Sequence, residues 1–294
     1  MAAETAFIGF GEAGSAVASG WGRPATEEMI AYDLKIHGDE ADAILQAGAE
    51  TGVAIAETPA EALAEARHVL CLVTADQAVA AARSAAPHLA SGAIWYDGNS
   101  CAPDSKREAA ALIEGAGGTY VDMAIMAPIH PGLHRTALLI AGPAEALPFL
   151  DEMGMNYRYR GAEIGSASAV KMIRSVMVKG IEALSAECFI AAERAGVLDD
   201  VLDSLQASAP PSDWRERAEY NLERMMQHGL RRAAEMREVT ATVAALGLDG
   251  SMAGATADWQ QRIGDLELRG LDGDVRERLV MIEEALCSSA ISGT

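Results

Sequence analysis

The sequence predicts a doubly wound parallel α/β sheet, residues 1–162, followed by an all-α domain, residues 163–294, and three observations predict it. From Thr5 to about Arg160 short β-type runs alternate with Ala-rich helical stretches, and after Gly161 that alternation stops. Half of the residues are hydrophobic but only 5% are aromatic, so Ala, Val, Leu, Ile and 13 Met must build the core. Such a core favours helices and close packing over an aromatic sandwich.

Strands are expected at Ala6–Gly9, Met29–Asp33, Gly52–Ile55, His68–Val73, Ala93–Asp97, Tyr120–Met123 and Ala137–Ala141. Any one run could be a buried helix segment; their repeated order argues for a sheet. Ile164 to Ala195 has no internal proline and reads as one long helix that tolerates Gly180. Pro210-Pro211 punctuates the chain, and the remainder to Ile291 reads as further helices broken at Gly229, Gly247, Gly254 and Gly270–Gly273.

A formal charge of −20 repels phosphate backbones and anionic headgroups, which argues against nucleic acid and membrane partners. An anionic small molecule remains compatible if Arg, Lys or backbone N–H groups gather in one cleft. No apolar run approaches the roughly 18 residues of a spanning helix, and Met1 to Phe10 lacks the basic start of a leader, so a cytoplasmic protein is expected. Cys71, Cys101, Cys188 and Cys287 form no C-x-x-C pair and read as reduced, mostly buried thiols. His130 and His134 have i, i+4 spacing, but Pro131-Gly132 between them predicts a loop, so no metal site is expected.

The most specific local signal is the run Gly9-Phe10-Gly11-Glu12-Ala13-Gly14, a G-x-G-x-x-G that leaves a short apolar strand and opens an Ala-rich helix. Gly9 permits the tight turn, Gly11 lets backbone approach a pyrophosphate, and Gly14 lets the helix pack on the strand with its N–H groups aimed at the phosphates. Asp33 closes the next strand 19 residues after Gly14. An acid there accepts hydrogen bonds from the adenosine ribose and repels a 2′-phosphate, which favours NAD. Asp33 could also be a plain turn residue, and Lys35 nearby keeps NADP open. The context predicts a Rossmann-type domain.

Four further segments carry a family resemblance. They are Val69-Leu70-Cys71-Leu72-Val73-Thr74, Trp95-Tyr96-Asp97-Gly98-Asn99-Ser100, Tyr120-Val121-Asp122-Met123-Ala124-Ile125-Met126-Ala127-Pro128, and Gly165-Ser166-Ala167-Ser168-Ala169-Val170-Lys171-Met172-Ile173-Arg174-Ser175. In this order they resemble the β-hydroxyacid dehydrogenases, the group of 6-phosphogluconate and 3-hydroxyisobutyrate dehydrogenases, in a divergent subfamily. The resemblance implies that Val73, Thr74 and Asn99 flank the cofactor and that Lys171 is the acid/base. It implies substrate binding by Met126, Ala127 and Pro128, and by Arg174 and Ser175; His130, in the loop that follows with Arg135, reads either as a further substrate contact or as an incidental histidine of a surface loop. Where the family has D-A-P-V-S-G-G, its Ser-Gly-Gly is replaced by Met126-Ala127-Pro128, and Pro128 has no N–H to donate. In the family's G-x-G-x-x-x-K-x-x-N-N, Lys171 is retained, the first glycine is displaced to Gly161, and Arg174 and Ser175 replace the asparagines.

Ser168, Lys171, Arg174, Ser175, Lys179 and Glu182 share one arc of the long helix, with Val170, Ile173, Met177 and Leu184 on the rest. The arc is either the solvated side of an amphipathic helix or a catalytic face. In the second case a partly desolvated Lys171 removes a hydroxyl proton, Arg174 pairs with a substrate anion and Ser175 orients the hydroxyl. His228-Gly229-Leu230-Arg231-Arg232 is a second cationic run, read as a solvated helix end or as part of a site. Three functions follow: a dehydrogenase of a small hydroxy acid or related alcohol, a reductase of an imine or ketone lacking a carboxylate, or a non-catalytic dinucleotide-binding regulator. Broad apolar faces on the C-terminal helices predict a homodimer.

Overall fold

Period-2 runs build the first half of the chain. The computed structural model describes residues 3–208, 213–268 and 273–292. Its strands are β1 (Thr5–Ile8), β2 (Met29–Tyr32), β3 (Ala54–Ile55), β4 (His68–Cys71), β5 (Ile94–Asp97), β6 (Thr119–Ile125), β7 (Leu138–Ala141) and β8 (Tyr157–Tyr159). Among the described residues they form one sheet in the order β3-β2-β1-β4-β5-β6-β7-β8. Only the β6–β7 pairing is antiparallel. Alternate residues go to opposite faces, Phe7, Leu70, Tyr96 and Val121 to one core and Ala6, Ile8, Val69, Trp95 and Tyr120 to the other. Both faces are therefore covered, as a parallel sheet requires. The covering helices are α1 (Glu12–Trp21), α2 (Arg23–Thr26), α3 (Ala41–Thr51), α4 (Pro59–Leu63), α5 (Ala78–Ala85), α6 (Pro103–Gly115) and α7 (Leu147–Glu152).

The remainder is helical: α8 (Ser166–Arg194), α9 (Leu198–Ser208), α10 (Trp214–Ala245), α11 (Ser251–Gly264) and α12 (Val275–Ser292). The chain divides into two compact units, Met1–Met172 and Ile173–Thr294. Phe189, Leu202, Leu222, Met225, Ile263 and Leu279 centre the core of the second.

Several sequence expectations need correction. An eighth strand, β8, was not expected: its Tyr-Arg-Tyr lies at the sheet edge with Arg158 and Tyr159 exposed, so it has no apolar run to announce it. Gly229 and Gly254 do not break helices; α10 and α11 run through them. A Cβ on Gly229 would stand 2.5 Å from the Gln260 carbonyl oxygen, and one on Gly264 2.5 Å from the Leu230 nitrogen. These two glycines let the helices cross backbone to backbone. His228 to Arg232 is consequently mid-helix, and Arg232 is buried rather than solvated. Cys71 and Cys101 are buried, but Cys188 and Cys287 are exposed. Pro210-Pro211 and Gly270 lie outside the described residues.

The polar arc of α8 is also largely buried, with Lys171 half-buried and only Arg174 exposed. Ser168, Ser175, Lys179 and Glu182 are buried, whereas Ile173, Met177 and Leu184 are 49%, 65% and 55% exposed.

Candidate functional site

The strand order reverses between β1 and β4, and the carboxyl ends of these strands form the crevice in which open α/β sheets bind ligands. Gly9 leaves β1 with φ +89°, a conformation that side chains resist, and a Cβ there would meet the Leu72 carbonyl oxygen at 2.5 Å. A Cβ on Gly14 would stand 2.7 Å from the Gly9 oxygen, so α1 packs on the turn. Gly11 differs: its Cβ would meet open space. A pyrophosphate fits this cradle, because nothing intrudes on the backbone at the N-terminus of a ten-residue helix and helix N–H groups attract anions. Glu12 and Ala13 form the first turn of that helix.

Asp33 directly follows β2 and is tied to this turn. Its Oδ2 accepts from the Phe10 N–H at 2.7 Å and its Oδ1 from the Lys35 N–H at 3.0 Å, while the Gly9 N–H donates to the Tyr32 carbonyl at 2.8 Å. The sequence-predicted residues Gly9, Phe10, Gly11, Gly14 and Asp33 are thus brought together. The Lys35 ammonium pairs with Glu40 at 2.6 Å. A second pair joins the neighbouring strand ends: Asn99 Oδ1 accepts from the Val73 N–H at 2.7 Å. Thr74 is exposed and precedes the 3-10 turn Ala75–Gln77, and its hydrogen bond to Asp76 holds that carboxyl below its usual range.

Behind Asn99 lies a fully buried ion cluster that sequence reasoning missed. Asp97 Oδ1 accepts from the Asn99 N–H at 2.9 Å, from Asn99 Nδ2 at 2.7 Å and from Lys106 Nζ at 2.9 Å, while Tyr120 donates its hydroxyl to Asp97 Oδ2 at 2.6 Å. Asp122 Oδ1 stands 3.6 Å from the same ammonium. Asp122 Oδ2 accepts from the Gly165, Ala167 and Ser168 N–H groups at 3.1, 3.2 and 3.0 Å, capping α8 from strand β6. Burial opposes the charge of Lys106, but Asp97, with Asp122 and the hydrogen bond to Asp97, outweighs it and holds the pKa above that of an ordinary lysine. Burial, then Asp97, pushes the Tyr120 phenol well up. One signal could have found the cluster: Lys106, Ala109, Ala110 and Ile113 share the buried stripe of α6, where a lysine needs buried partners.

Lys171 is half-buried, and its Nζ donates to Ser100 Oγ, in the turn after Asn99. Ser100 belongs to the Trp95–Ser100 segment, where nothing in the sequence marks it as a site residue. The segment expected to bind substrate follows the end of β6, which runs on to Ile125, past the expected Met123. The Met126 N–H is consumed by the Ala137 carbonyl at 2.8 Å, and Met126 packs beside Ala124, Leu139 and Ala167. Ala127, Pro128 and His130 are exposed. His130 is in a loop, as expected, whereas His134 belongs to the 3-10 turn Leu133–Arg135, packed where a Cβ on Gly20 of α1 would strike it. Burial, then Arg135, lowers the His134 pKa. Arg174, exposed, and Ser175, buried, belong to the second unit. Among the described residues, no group of three or more His, Cys, Asp or Glu could hold a metal, and no helix is long and apolar enough to cross a membrane.

Residues 4–161 match the model of the NAD binding domain of 6-phosphogluconate dehydrogenase, and residues 192–263 match a domain of unknown function, DUF1932. A conserved hypothetical protein from Sinorhizobium meliloti 1021 is 37% identical, over 97% of each chain, with a TM-score of 0.72. A conserved protein of unknown function described as structurally similar to 3-hydroxyacid dehydrogenases is 31% identical, over 89% of this chain and 96% of its own, with a TM-score of 0.64. Mycobacterium tuberculosis 3-hydroxyisobutyrate dehydrogenase, solved with L-serine, shares the fold at 18% identity, over 97% and 99% of the two chains, with a TM-score of 0.70. A curated relative, an uncharacterized 28.5 kDa protein from Methanothermus fervidus, is 29% identical over 114 residues, and this match spans 38% of the present chain and 43% of that relative. The glycine turn, the strand order and the matched residues agree: the chain belongs to the β-hydroxyacid dehydrogenase family, with a 6-phosphogluconate dehydrogenase-type NAD-binding domain as its first half.

Proposed function

We propose that this protein is an NAD-dependent dehydrogenase that moves hydride between the nicotinamide and a small hydroxy acid or related alcohol, with Lys171 as acid/base. The observation that carries this reading is the Lys171–Ser100 hydrogen bond, because it ties the family's lysine to the turn that also holds Asn99 and, through it, Val73. Gly9 to Gly14 hold the pyrophosphate, Asp33 the adenosine ribose, and Val73, Thr74 and Asn99 the approach to the nicotinamide. When bound, the nicotinamide takes up or supplies the hydride. In oxidation Lys171 acts as the neutral amine, takes the substrate hydroxyl proton and becomes the ammonium; in reduction the ammonium returns that proton, and Ser100 Oγ, which accepts from Nζ, orients it. Arg174 pairs with the substrate anion and Ser175 orients the hydroxyl. NAD is preferred because the Asp33 carboxylate stands beside the glycine turn, where it would repel a 2′-phosphate, and Glu40 neutralises Lys35.

Residues 1–162 then serve as the dinucleotide domain and residues 163–294 as the substrate and dimerisation domain. The exposed Ile173, Met177 and Leu184 of α8 support a homodimer. A cytoplasmic location fits the reading.

One observation favours a second reading, a reductase of an imine or of a ketone lacking a carboxylate. Pro128 has no N–H and Met126 has spent its own on Ala137, so the substrate segment offers a carboxylate little backbone donation. Nicotinamide absorbance with both cofactors against hydroxy acids, oxo acids, alcohols and cyclic imines separates the two. Turnover of imines alone overturns the first reading. Lys171→Met should lower turnover about 10²–10⁴-fold and leave NAD affinity intact; near wild-type turnover sinks the assignment of Lys171.

A further inference from the structure

Asp97 and Asp122 are register partners on the adjacent strands β5 and β6, so their carboxylates leave the same face of the sheet. Two carboxylates side by side in an interior repel each other, and one of them would ordinarily take up a proton. Lys106 stands between them with no exposed surface. Its Nζ donates to the Asp97 carbonyl at 2.6 Å and to Asp97 Oδ1 at 2.9 Å, and lies 3.6 Å from Asp122 Oδ1. Asp122 Oδ1 has no hydrogen-bond partner, so the ammonium is what balances that oxygen.

Each carboxylate holds one half of the Lys171–Ser100 pair. Asp97 grips the backbone and side chain of Asn99 and thereby fixes the turn that presents Ser100. Asp122 grips three N–H groups at the start of α8, the last of them Ser168, one turn before Lys171. Without the ammonium the two grips would push apart.

We propose that Lys106 is a positioning residue: its buried ammonium couples the Asn99–Ser100 turn to the first turn of α8, and so sets the register of Lys171 against Ser100 without meeting substrate or cofactor. This inference rests on the acid/base role given to Lys171 above. It adds a residue that no motif of the family resemblance contributed.

A double-mutant cycle tests it, with the fastest-turning compound of the substrate panel and NAD. Lys106→Met should lower kcat about 10–100-fold, the scale of a misplacement near 1 Å, and leave the NAD dissociation constant within about twofold. In a Lys171→Met background the same substitution should cost less than about threefold, because its target is already gone. An equal factor in both backgrounds makes Lys106 a general structural residue and overturns the proposal, as does wild-type kcat in Lys106→Met. Near wild-type turnover of Lys171→Met alone overturns the proposed mechanism instead.

Should Lys106→Met be insoluble, Lys106→Met with Asp122→Asn carries the same cycle. It removes one charge of each sign, and the amide oxygen still accepts from α8. A readout free of turnover is the ¹³C signal of reductively methylated Lys171, which should move in Lys106→Met as it does in Ser100→Ala. An unmoved signal overturns the proposal.

Discussion

The two units bury charge in opposite ways. In the first, Asp97, Lys106 and Asp122 are wholly enclosed, yet backbone and side-chain groups converge on them: three N–H groups from the start of α8, one from Asn99, the Asn99 amide and the Tyr120 hydroxyl. In the second, Arg232 Nη2 donates to Glu182 Oε1, Gln260 Nε2 donates to Glu182 Oε2 at 2.9 Å, and Lys179 pairs with Glu235. Arg232 Nε and Gln260 Oε1 have no hydrogen-bond partner there; in the first cluster Asp122 Oδ1 has none either, but faces the Lys106 ammonium. Burial dominates: it raises the Glu182 pKa and lowers those of Lys179 and Arg232, each against the pull of its partner. The difference is one of backbone supply. Strand ends and a helix start offer free N–H groups, whereas the middles of α8, α10 and α11 have spent theirs on their own helices.

That comparison breaks first at its strongest contacts. Asp122→Ala strips the cap of α8 and leaves the Lys106 charge half-balanced, and should cost about 3–5 kcal/mol, read as faster amide exchange at Gly165, Ala167 and Ser168. Arg232→Met should cost about as much, because Glu182 is left buried without the guanidinium that pairs with it, and the Gln260 amide carries no charge to replace it. Replacing the pair together, with Glu182→Met and Arg232→Met, should recover most of that loss or exceed wild-type stability in thermal melts. Asp122→Ala should find no such rescue, since its partners include main chain. If the double replacement remains as unstable as Arg232→Met alone, the second cluster is better satisfied than its orphaned atoms imply.

A smaller effect sharpens the packing side of the contrast. Gly229→Ala puts a Cβ 2.5 Å from the Gln260 carbonyl oxygen and 2.7 Å from the Gly264 Cα. Main chain cannot give way as a side chain does, so about 1–3 kcal/mol should be lost in urea denaturation. Gly254→Ala, on the same α10–α11 pair but facing open space, should be neutral or slightly stabilising. Equal losses at the two positions would show that helix propensity, not close crossing, governs both.

These residues also mark how far the sequence could be read. Seven of the eight strands were legible because Phe7, Leu70, Tyr96 and their neighbours alternate in a sheet buried on both faces. β8 was not, because an exposed edge needs no apolar run. The cofactor turn was legible, since Gly9, Gly11, Gly14 and Asp33 stand close in sequence and each has a local steric or electrostatic task. Gly229 misled because a glycine that admits a second helix looks like one that ends its own. Asp97, Lys106 and Asp122 escaped because what makes them matter is the 0% exposure of all three, and a charge in sequence reads as surface unless its helical stripe is checked. The polar arc of α8 was seen, but the choice between a solvated and an interior face depended on partners from α10 and α11.

The finest distinction between the units is their response to pH. His68 begins β4 with its ring stacked on Phe149, centroids 4.0 Å apart and planes within 6°, and close to Tyr96. Burial lowers its pKa, against the attraction of Glu4 and Glu152 and with the help of Arg67. The unfolded chain therefore binds the proton more tightly, so the first unit loses stability as pH falls through about 6.5 towards the folded value. Glu182 has the opposite sign. Its pKa is raised by burial, against Arg232, Gln260, Lys179 and Arg224, so the folded state holds the proton more tightly and the second unit gains stability as pH falls through that raised value towards the ordinary glutamate range. Between pH 7 and 5, amide exchange at Val69, Leu70 and Cys71 should accelerate relative to exchange in the middle of α10. His68→Phe should remove the first slope and Glu182→Gln the second. Parallel slopes in both units, surviving both substitutions, would mean that the −20 net charge of the whole chain sets the pH response and that neither buried group is felt.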